Sequence, residues 1–483
     1  MRQGTVVVSR RRLTLASAVQ FGGRVLGAFL GVLVAASLAR GLTRPQFGEL
    51  SVALTILTLA GSLADLGITP IAVREMARRP EDRPWIAGAV CATQFVMGIV
   101  LGVVGLAVAF ALMNGTQSRI MAIFMMATMP FGAVAALTVA AQARLRAELV
   151  IVPLLTQSVV WLAVVVTLGA VHAPLSLYGA GFLAARVIEC ALTVALTIRV
   201  TDLAFAGARR RTVQLLRVAW PIGVAGMFVT AYYRIDAVLL FHYRGATQTA
   251  YYSAAYRILD VLQIFPVTVA GVLLPLLAGA QREGESAARI KHLFELAATA
   301  LMSAAVPVAA CGAIVAPAVI SLIYGHHYHN SIHLLQILLP AFIPISLAYA
   351  LTSQLILHGV LRPYIAITFV GAVVNVTANL VAIPRYGALA AAWTTLGTEV
   401  IAMSAIAFVV RRRLGFTLPV VRAVRVLAAT AVTAAAVWLV RSQPLVIALV
   451  GAGVVYPPCL IASRAVTLAE LRALLTRQTA TNA

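Results

Sequence analysis

Long apolar stretches, separated by short clusters of arginine, glycine and proline, recur along the whole chain. A helix rises 1.5 Å per residue, so about 20 mostly apolar residues cross the hydrocarbon core of a bilayer. By that measure the pattern predicts fourteen transmembrane helices, at 15–39, 47–71, 85–112, 119–141, 149–171, 175–198, 218–242, 251–280, 293–324, 332–357, 362–383, 387–410, 423–440 and 444–463. The ninth stretch is long for one straight crossing, and Pro307 and Pro317 are expected to kink or tilt it. The expected fold class is an all-α polytopic membrane protein.

Composition agrees with the pattern. Of the 483 residues, 61% are hydrophobic and 11% charged, against roughly 25% charged in an average soluble domain. A mean hydropathy of +0.96 over that length excludes a soluble enzyme. The formal net charge is +22. In a soluble chain such a charge would point to nucleic acid, but here the basic residues sit between apolar runs and act as topology signals. Arg10, Arg11 and Arg12 precede an apolar stretch, and Ser37-Leu38-Ala39 resembles a cleavage site. That stretch far exceeds a signal-peptide core of about 7–15 residues, so it is expected to be an uncleaved first helix.

With the N-terminus in the cytoplasm, 27 of the 37 basic residues fall in cytoplasmic segments and 6 in outer loops, leaving Arg24, Arg186, Arg234 and Arg257 inside helices. This asymmetry is a positive-inside signal, and an even helix count places both termini in the cytoplasm. No loop is long enough to fold as a soluble domain. The connection 199–217 is expected to hold a short interfacial helix, and the tail around Leu468–Arg472 is similarly amphipathic.

A weak repeat points to two lobes. Arg40-Gly41 with Phe47-Gly48 matches Arg244-Gly245 with Tyr251-Tyr252 at one constant offset. Each set links the first and second helix of a half. Six helices per half is an even number, so the halves would share one orientation. The expected organisation is a six-helix lobe over 1–212, a second over 213–415, and two additional helices with a cytoplasmic tail over 416–483.

Several stretches resemble a known family. Phe47-Gly48-Glu49-Leu50 is followed by Asp65-Leu66-Gly67-Ile68 and Val73-Arg74-Glu75. Tyr233-Arg234-Ile235-Asp236 lies in the seventh helix, and Tyr251–Arg257 opens the eighth. Asn375 through Asn379, Ile383–Ala388 and Ala390-Ala391-Ala392 fill the eleventh and twelfth. In order and placement these resemble the Wzx-like oligosaccharide flippases of the MOP superfamily. The resemblance implies two six-helix lobes around a central cavity in the bacterial plasma membrane. It also implies translocation of undecaprenyl-diphosphate-linked oligosaccharide from the cytoplasmic to the outer leaflet by alternating access, for cell-surface polysaccharide synthesis. Polysaccharide polymerase and glycosyltransferases would be functional partners. It brings no catalytic signature, so no enzymatic activity is expected. The last two helices lie outside the twelve-helix core.

Charges inside apolar spans cost several kcal/mol and mark function or structural pairing. Arg24 sits between Gly22-Gly23 and Gly27, where small neighbours make room for a headgroup or another helix; the alternative is an arginine snorkelling to the cytoplasmic edge. Arg234 and Asp236, two apart, point to different faces. Arg257 and Asp260, three apart, share one. Arg24, Arg234 and Arg257 are the candidate ligands of a diphosphate. Asp236, Asp260 and Glu399 are candidates for coupling or for a structural network, and Glu399 is either a protonatable acid or a neutral buried one. Arg186 and Glu189 read as a local ion pair, and Asp65 as a helix-terminal structural residue. Asn375 and Asn379, four apart, could bind sugar, but interhelical hydrogen bonding is the commoner use of such amides.

The remaining motifs carry less. His326, His327, His329 and His333 have no carboxylate or cysteine nearby in sequence, so no metal site is expected. Cys91, Cys190, Cys311 and Cys459 lie in apolar runs without metal-type spacing. The sequon Asn114-Gly115-Thr116 has no meaning in a bacterial chain. No nucleotide or redox motif is present, so no cofactor and no nucleic-acid partner are expected. The competing reading is a MATE-type multidrug or small-solute antiporter, which would want a cavity acid where this chain offers arginines.

Overall fold

The computed structural model describes residues 10–144, 146–198, 201–282 and 286–465. Among these residues sixteen α-helices follow one another. The first eight are α1 (Arg10–Gly41), α2 (Arg44–Asp65), α3 (Ile68–Arg78), α4 (Arg83–Leu112), α5 (Thr116–Met126), α6 (Ala135–Ala143), α7 (Glu148–Ala170) and α8 (Leu175–Thr197). The rest are α9 (Ala208–Leu262), α10 (Ile264–Arg282), α11 (Ala287–Tyr324), α12 (Ser331–Leu357), α13 (Leu361–Tyr386), α14 (Ala388–Leu414), α15 (Val420–Leu439) and α16 (Leu445–Ala462). The described residues contain 13 segments long and apolar enough to cross a membrane. One of them, Gly223–Gln281, has 59 residues, more than twice the roughly 20 that a single crossing needs. It bends at Gly245, whose φ of 78° and ψ of −179° break the helix inside α9. Counting it twice gives the fourteen crossings expected from the apolar pattern. The protein is an all-α, multi-pass membrane protein.

The break at Gly245 falls where the repeat places it. Its counterpart Gly41 is the last residue of α1. Beyond it, the Thr43 amide donates to the Gln46 carbonyl oxygen at 3.0 Å, starting α2 with a side-chain cap.

Three elements differ from the sequence expectation. α2 ends at Asp65 rather than at 71, because Leu66 (φ 45°) and Gly67 (φ 71°) both adopt left-handed backbone. The short amphipathic α3 follows. The fourth crossing is not one helix. A 3-10 segment, Met129–Val134, joins α5 to α6 around Pro130, which has no N–H to continue the α ladder. The expected interfacial helix is not separate either. Residues 201–207 carry no helix, and α9 then runs unbroken from Ala208 to the bend at Gly245. The amphipathic tail at 468–472 lies outside the described residues.

The chain packs as two compact units, Met1–Ala250 and Tyr251–Ala483. In the first, the core under α3, α4 and α6 is built from Ile71, Met76, Val90 and Val139, together with Ala219 of α9. The first part of α9 lies along α2. The Ser62 hydroxyl donates to that of Thr230 at 3.0 Å, and a Cβ on Gly67 would lie 2.6 Å from the Gly223 nitrogen. In the second unit, Leu277, Phe294, Leu301, Leu351 and Ile406 form the core between α10, α11, α12 and α14. The last two helices dock on α11. Val437 and Ala448 pack with Val315, and the Tyr456 hydroxyl donates to the Ser303 carbonyl at 2.7 Å.

Candidate functional site

The arginines expected to meet a diphosphate occupy different surroundings. Arg24 is exposed on α1, beside the exposed Phe21, Val25 and Leu26. Its glycine neighbours divide their roles. Gly23 packs on Ile151 and Gly27 faces Leu155, both of α7, whereas Gly22 has open space around it. The small residues thus serve helix packing on one side of α1 and leave Arg24 outside that contact. Arg234 is half-buried on α9, next to Tyr233, whose ring stacks on Tyr232 at 4.4 Å. Asp236 is buried, and its Oδ1 accepts from the Ala237 amide at 2.7 Å.

In the second unit, Arg257 is exposed. Asp260, one turn further along the same helix, is half-buried. Glu399 is buried on α14. Asn375 and Asn379 are fully buried. The Asn375 amide donates to the Thr398 hydroxyl at 3.3 Å, and that of Asn379 to the Asn375 carbonyl oxygen at 2.9 Å. The Thr394 hydroxyl donates to Asn379 at 2.5 Å. This ladder ties α13 to α14, which is the interhelical use expected of two amides on one face. A second feature of this unit is a pocket of about 420 Å³ bounded by α9, α11, α12, α15 and α16, lined almost wholly by apolar side chains such as Val315, Leu339, Val437 and Leu449.

The first unit holds a cavity of another kind, about 360 Å³ in volume. Asp65, at the end of α2, accepts the Thr69 hydroxyl in a short contact and the Gln94 amide at 3.0 Å. Arg186 and Glu189 of α8 form the ion pair expected from their spacing, and Arg186 lines this cavity with Gln157 and Phe182. The 3-10 segment contributes Met129 and Gly132 to the wall. Sequence reasoning missed Gln94 and Gln157. Their signal was a single amide deep in an otherwise apolar span.

Among the described residues, no group of three or more His, Cys, Asp or Glu is placed to hold a metal ion. His326, His327 and His329 are exposed around the buried Tyr328. The His333 Nδ1 lies 3.2 Å from Gln336 Oε1.

These charged and amide side chains are set inside a many-helix membrane body whose fold known proteins share. The fold matches a lipid II flippase MurJ in an inward closed conformation with a TM-score of 0.73 at 13% identity, over 93% of this chain and 98% of that one. It also matches an inward-facing multidrug resistance MATE transporter of the MOP superfamily, TM-score 0.64 at 14% identity, over 82% of this chain and 98% of that one. An uncharacterized membrane protein, MJ1068 of Methanocaldococcus jannaschii, is 27% identical over 178 residues. That match spans about a third of either chain, 36% of this one and 34% of the relative. The family model described as polysaccharide biosynthesis protein matches residues 16–281, more than half of the chain. The protein belongs to this polysaccharide biosynthesis family.

Proposed function

We propose that the protein is a flippase for undecaprenyl-diphosphate-linked oligosaccharide, moving it from the cytoplasmic to the outer leaflet of the bacterial plasma membrane. The observation that carries this reading is membership of the polysaccharide biosynthesis family over residues 16–281, joined to a MurJ-like fold. In this reading 1–212 and 213–415 are lobes that rock about a central cavity. The helices of 416–483 form a third part, and the apolar pocket against α11 takes part of the polyprenyl tail. Arg24, Arg234 and Arg257 supply positive charge to the diphosphate. Arginine suits that task because its planar fork grips phosphate oxygens in pairs. Asp236, Asp260 and Glu399 couple the movement or hold the helices around it. With the cell interior negative, outward movement of an anion is favoured by roughly 2.3 kcal/mol per charge per 100 mV. Glycosyltransferases act before this step and a polymerase after it.

The test is deletion of the gene followed by identification of the lipid-linked oligosaccharide that accumulates in the cytoplasmic leaflet. Purified protein should then translocate that molecule in proteoliposomes. An unchanged lipid-linked pool, with export of a small cationic solute instead, would move the assignment to an antiporter. Orientation is tested separately. In a background without the native cysteines, single cysteines at Gly4, Gln281 and Thr479 should resist an impermeant thiol reagent added to intact cells. Labelling at Gly4 or Thr479 would overturn the cytoplasmic placement of the termini.

A further inference from the structure

We infer that the cavity inside the first unit is a binding subsite for a neutral sugar ring. Its chemistry separates it from a phosphate site and from a cation site. Asp65 faces it with a carboxylate, which repels a diphosphate. Arg186 faces it with a guanidinium whose charge is already met by Glu189, so what it offers the cavity is its remaining N–H donors. Gln94 turns its NH2 toward Asp65 at 3.0 Å, so the carboxylate is met by donors of the protein and not by oxygens converging on an ion. A neutral polyol is the ligand that uses what is left. It can donate to Asp65, accept from Arg186, and do both with the amide of Gln157.

Shape agrees with this chemistry. About 360 Å³ lies within the usual range of small-molecule sites, roughly 300–1,000 Å³, which combine apolar or aromatic walls with a few placed polar groups. Phe182 supplies an aromatic wall and is itself held by Trp161, edge-on at 5.3 Å and 85°. Gly61 also lines the cavity and adds no bulk to it, and a Cβ there would meet nothing within 4 Å. The 3-10 segment that also lines the cavity is a break in a membrane helix, a feature often found at functional positions. The identity of the sugar rests on the flippase reading above. The subsite would hold one residue of the oligosaccharide, away from the diphosphate.

The experiment uses the full chain in lipid nanodiscs and two radiolabelled probes. One is the free oligosaccharide released by mild acid from the lipid-linked pool of a deletion strain. The other is undecaprenyl diphosphate without sugar. Equilibrium binding should show saturable uptake of the free oligosaccharide. Gln157→Ala, which removes only an amide, and Gly61→Leu, which fills the space, should each weaken it at least tenfold and leave undecaprenyl diphosphate binding unchanged. Either variant is informative if the other does not fold. Arg186→Ala is avoided because it strands Glu189. If both variants bind the free oligosaccharide as tightly as the unaltered protein, the subsite is wrong. If the unaltered protein translocates the intact lipid-linked molecule but takes up no free oligosaccharide, the subsite is wrong and the flippase reading stands. Saturable uptake of radioactive sodium, lost in Asp65→Asn, with no oligosaccharide uptake, would reassign the cavity to a cation. Failure to bind or translocate any of these lipid-linked molecules would overturn both readings.

Discussion

The two packing units use buried polar side chains in opposite ways. In the second, Asn375, Asn379, Thr394 and Thr398 spend their hydrogen bonds on one another across α13 and α14, and the open space in that unit is apolar. In the first, Asp65, Gln94, Gln157 and Arg186 border the open space itself. Residue type does not distinguish the two sets, since both contain amides inside apolar helices. What differs is the presence of volume beside them. Amides that meet partners on the neighbouring helix act as structural glue, and amides beside a cavity are available to a ligand. The comparison implies that polar side chains open to a ligand are concentrated in the first unit, while the second spends its amides on helix packing and offers an apolar pocket.

The largest effect that could break this contrast concerns the arginines, two of which lie in the first unit and one in the second. Losing a hydrogen bond to a charged group costs roughly 1.5–3 kcal/mol, up to about a hundredfold in rate. Arg234→Ala should lower flipping in proteoliposomes about a hundredfold in protein that still inserts, and Arg234→Lys should keep part of the activity. Arg24→Ala should follow it. Arg257→Ala, in the second unit, should cost about threefold. Equal losses at all three would spread the ligand chemistry over both units. Normal flipping by Arg24→Ala and Arg234→Ala would make those arginines structural.

The next effect is on stability and belongs to the seam between α2 and α9. Gly67 has φ 71°, and a side chain there would enter the Gly223 backbone. Strained backbone and overpacking together cost roughly 2–4 kcal/mol. Gly67→Ala should lower the thermal unfolding temperature in detergent more than any single change in the α13–α14 amide ladder. A smaller shift than that of the ladder variants would show that the seam opens easily. Asn375→Ala supplies the other side of the comparison. Hydrogen bonds between membrane helices contribute about 1 kcal/mol or less. The variant should unfold slightly earlier and bind lipid-linked oligosaccharide with unchanged affinity. A tenfold loss of affinity without loss of stability would turn the ladder into a binding surface.

How much of this could be read from the sequence depended on where the cause lay. The fourteen crossings were legible because apolar length is a local property. The bend at Gly245 was legible through its match to Gly41. The end of α2 was not, because Leu66 through Ile71 continues the apolar pattern and the turn at Gly67 fits against Gly223, far away in sequence. The segment before the seventh crossing read as separate because it is rich in arginine. Arginine is a good helix former, and α9 runs through 209–217 into the membrane without a break. Charged members of the cavity, Asp65 and Arg186, stood out as costly residues in apolar spans. Gln94 and Gln157 did not, since only the packing of α2, α4, α7 and α8 makes them neighbours of one space.

The smallest expected effect lies at the turn between α11 and α12. Four histidines within eight residues invite a metal, and a bound metal would give the second unit ligand chemistry that the contrast denies it. The local geometry argues otherwise. His326, His327 and His329 are exposed, while Tyr328 between them turns inward, edge-on to Tyr251 at 6.0 Å and tilted against Tyr324 at 5.5 Å. The Ser331 hydroxyl donates to the Tyr251 carbonyl at 2.9 Å and fixes the start of α12. The turn is therefore held by tyrosines and a serine, and His333 spends one ring nitrogen on Gln336. A zinc site needs about four ligands converging tetrahedrally, which this arrangement does not supply. Replacing His326, His327, His329 and His333 together by glutamine should leave flipping within about threefold, with and without added zinc. Complete loss in folded protein would place a functional site at this turn, and rescue of a partial loss by zinc would identify it as a metal site. Replacing Tyr328 by alanine should be the more damaging change at this turn, because it removes the buried ring on which the α11–α12 connection closes.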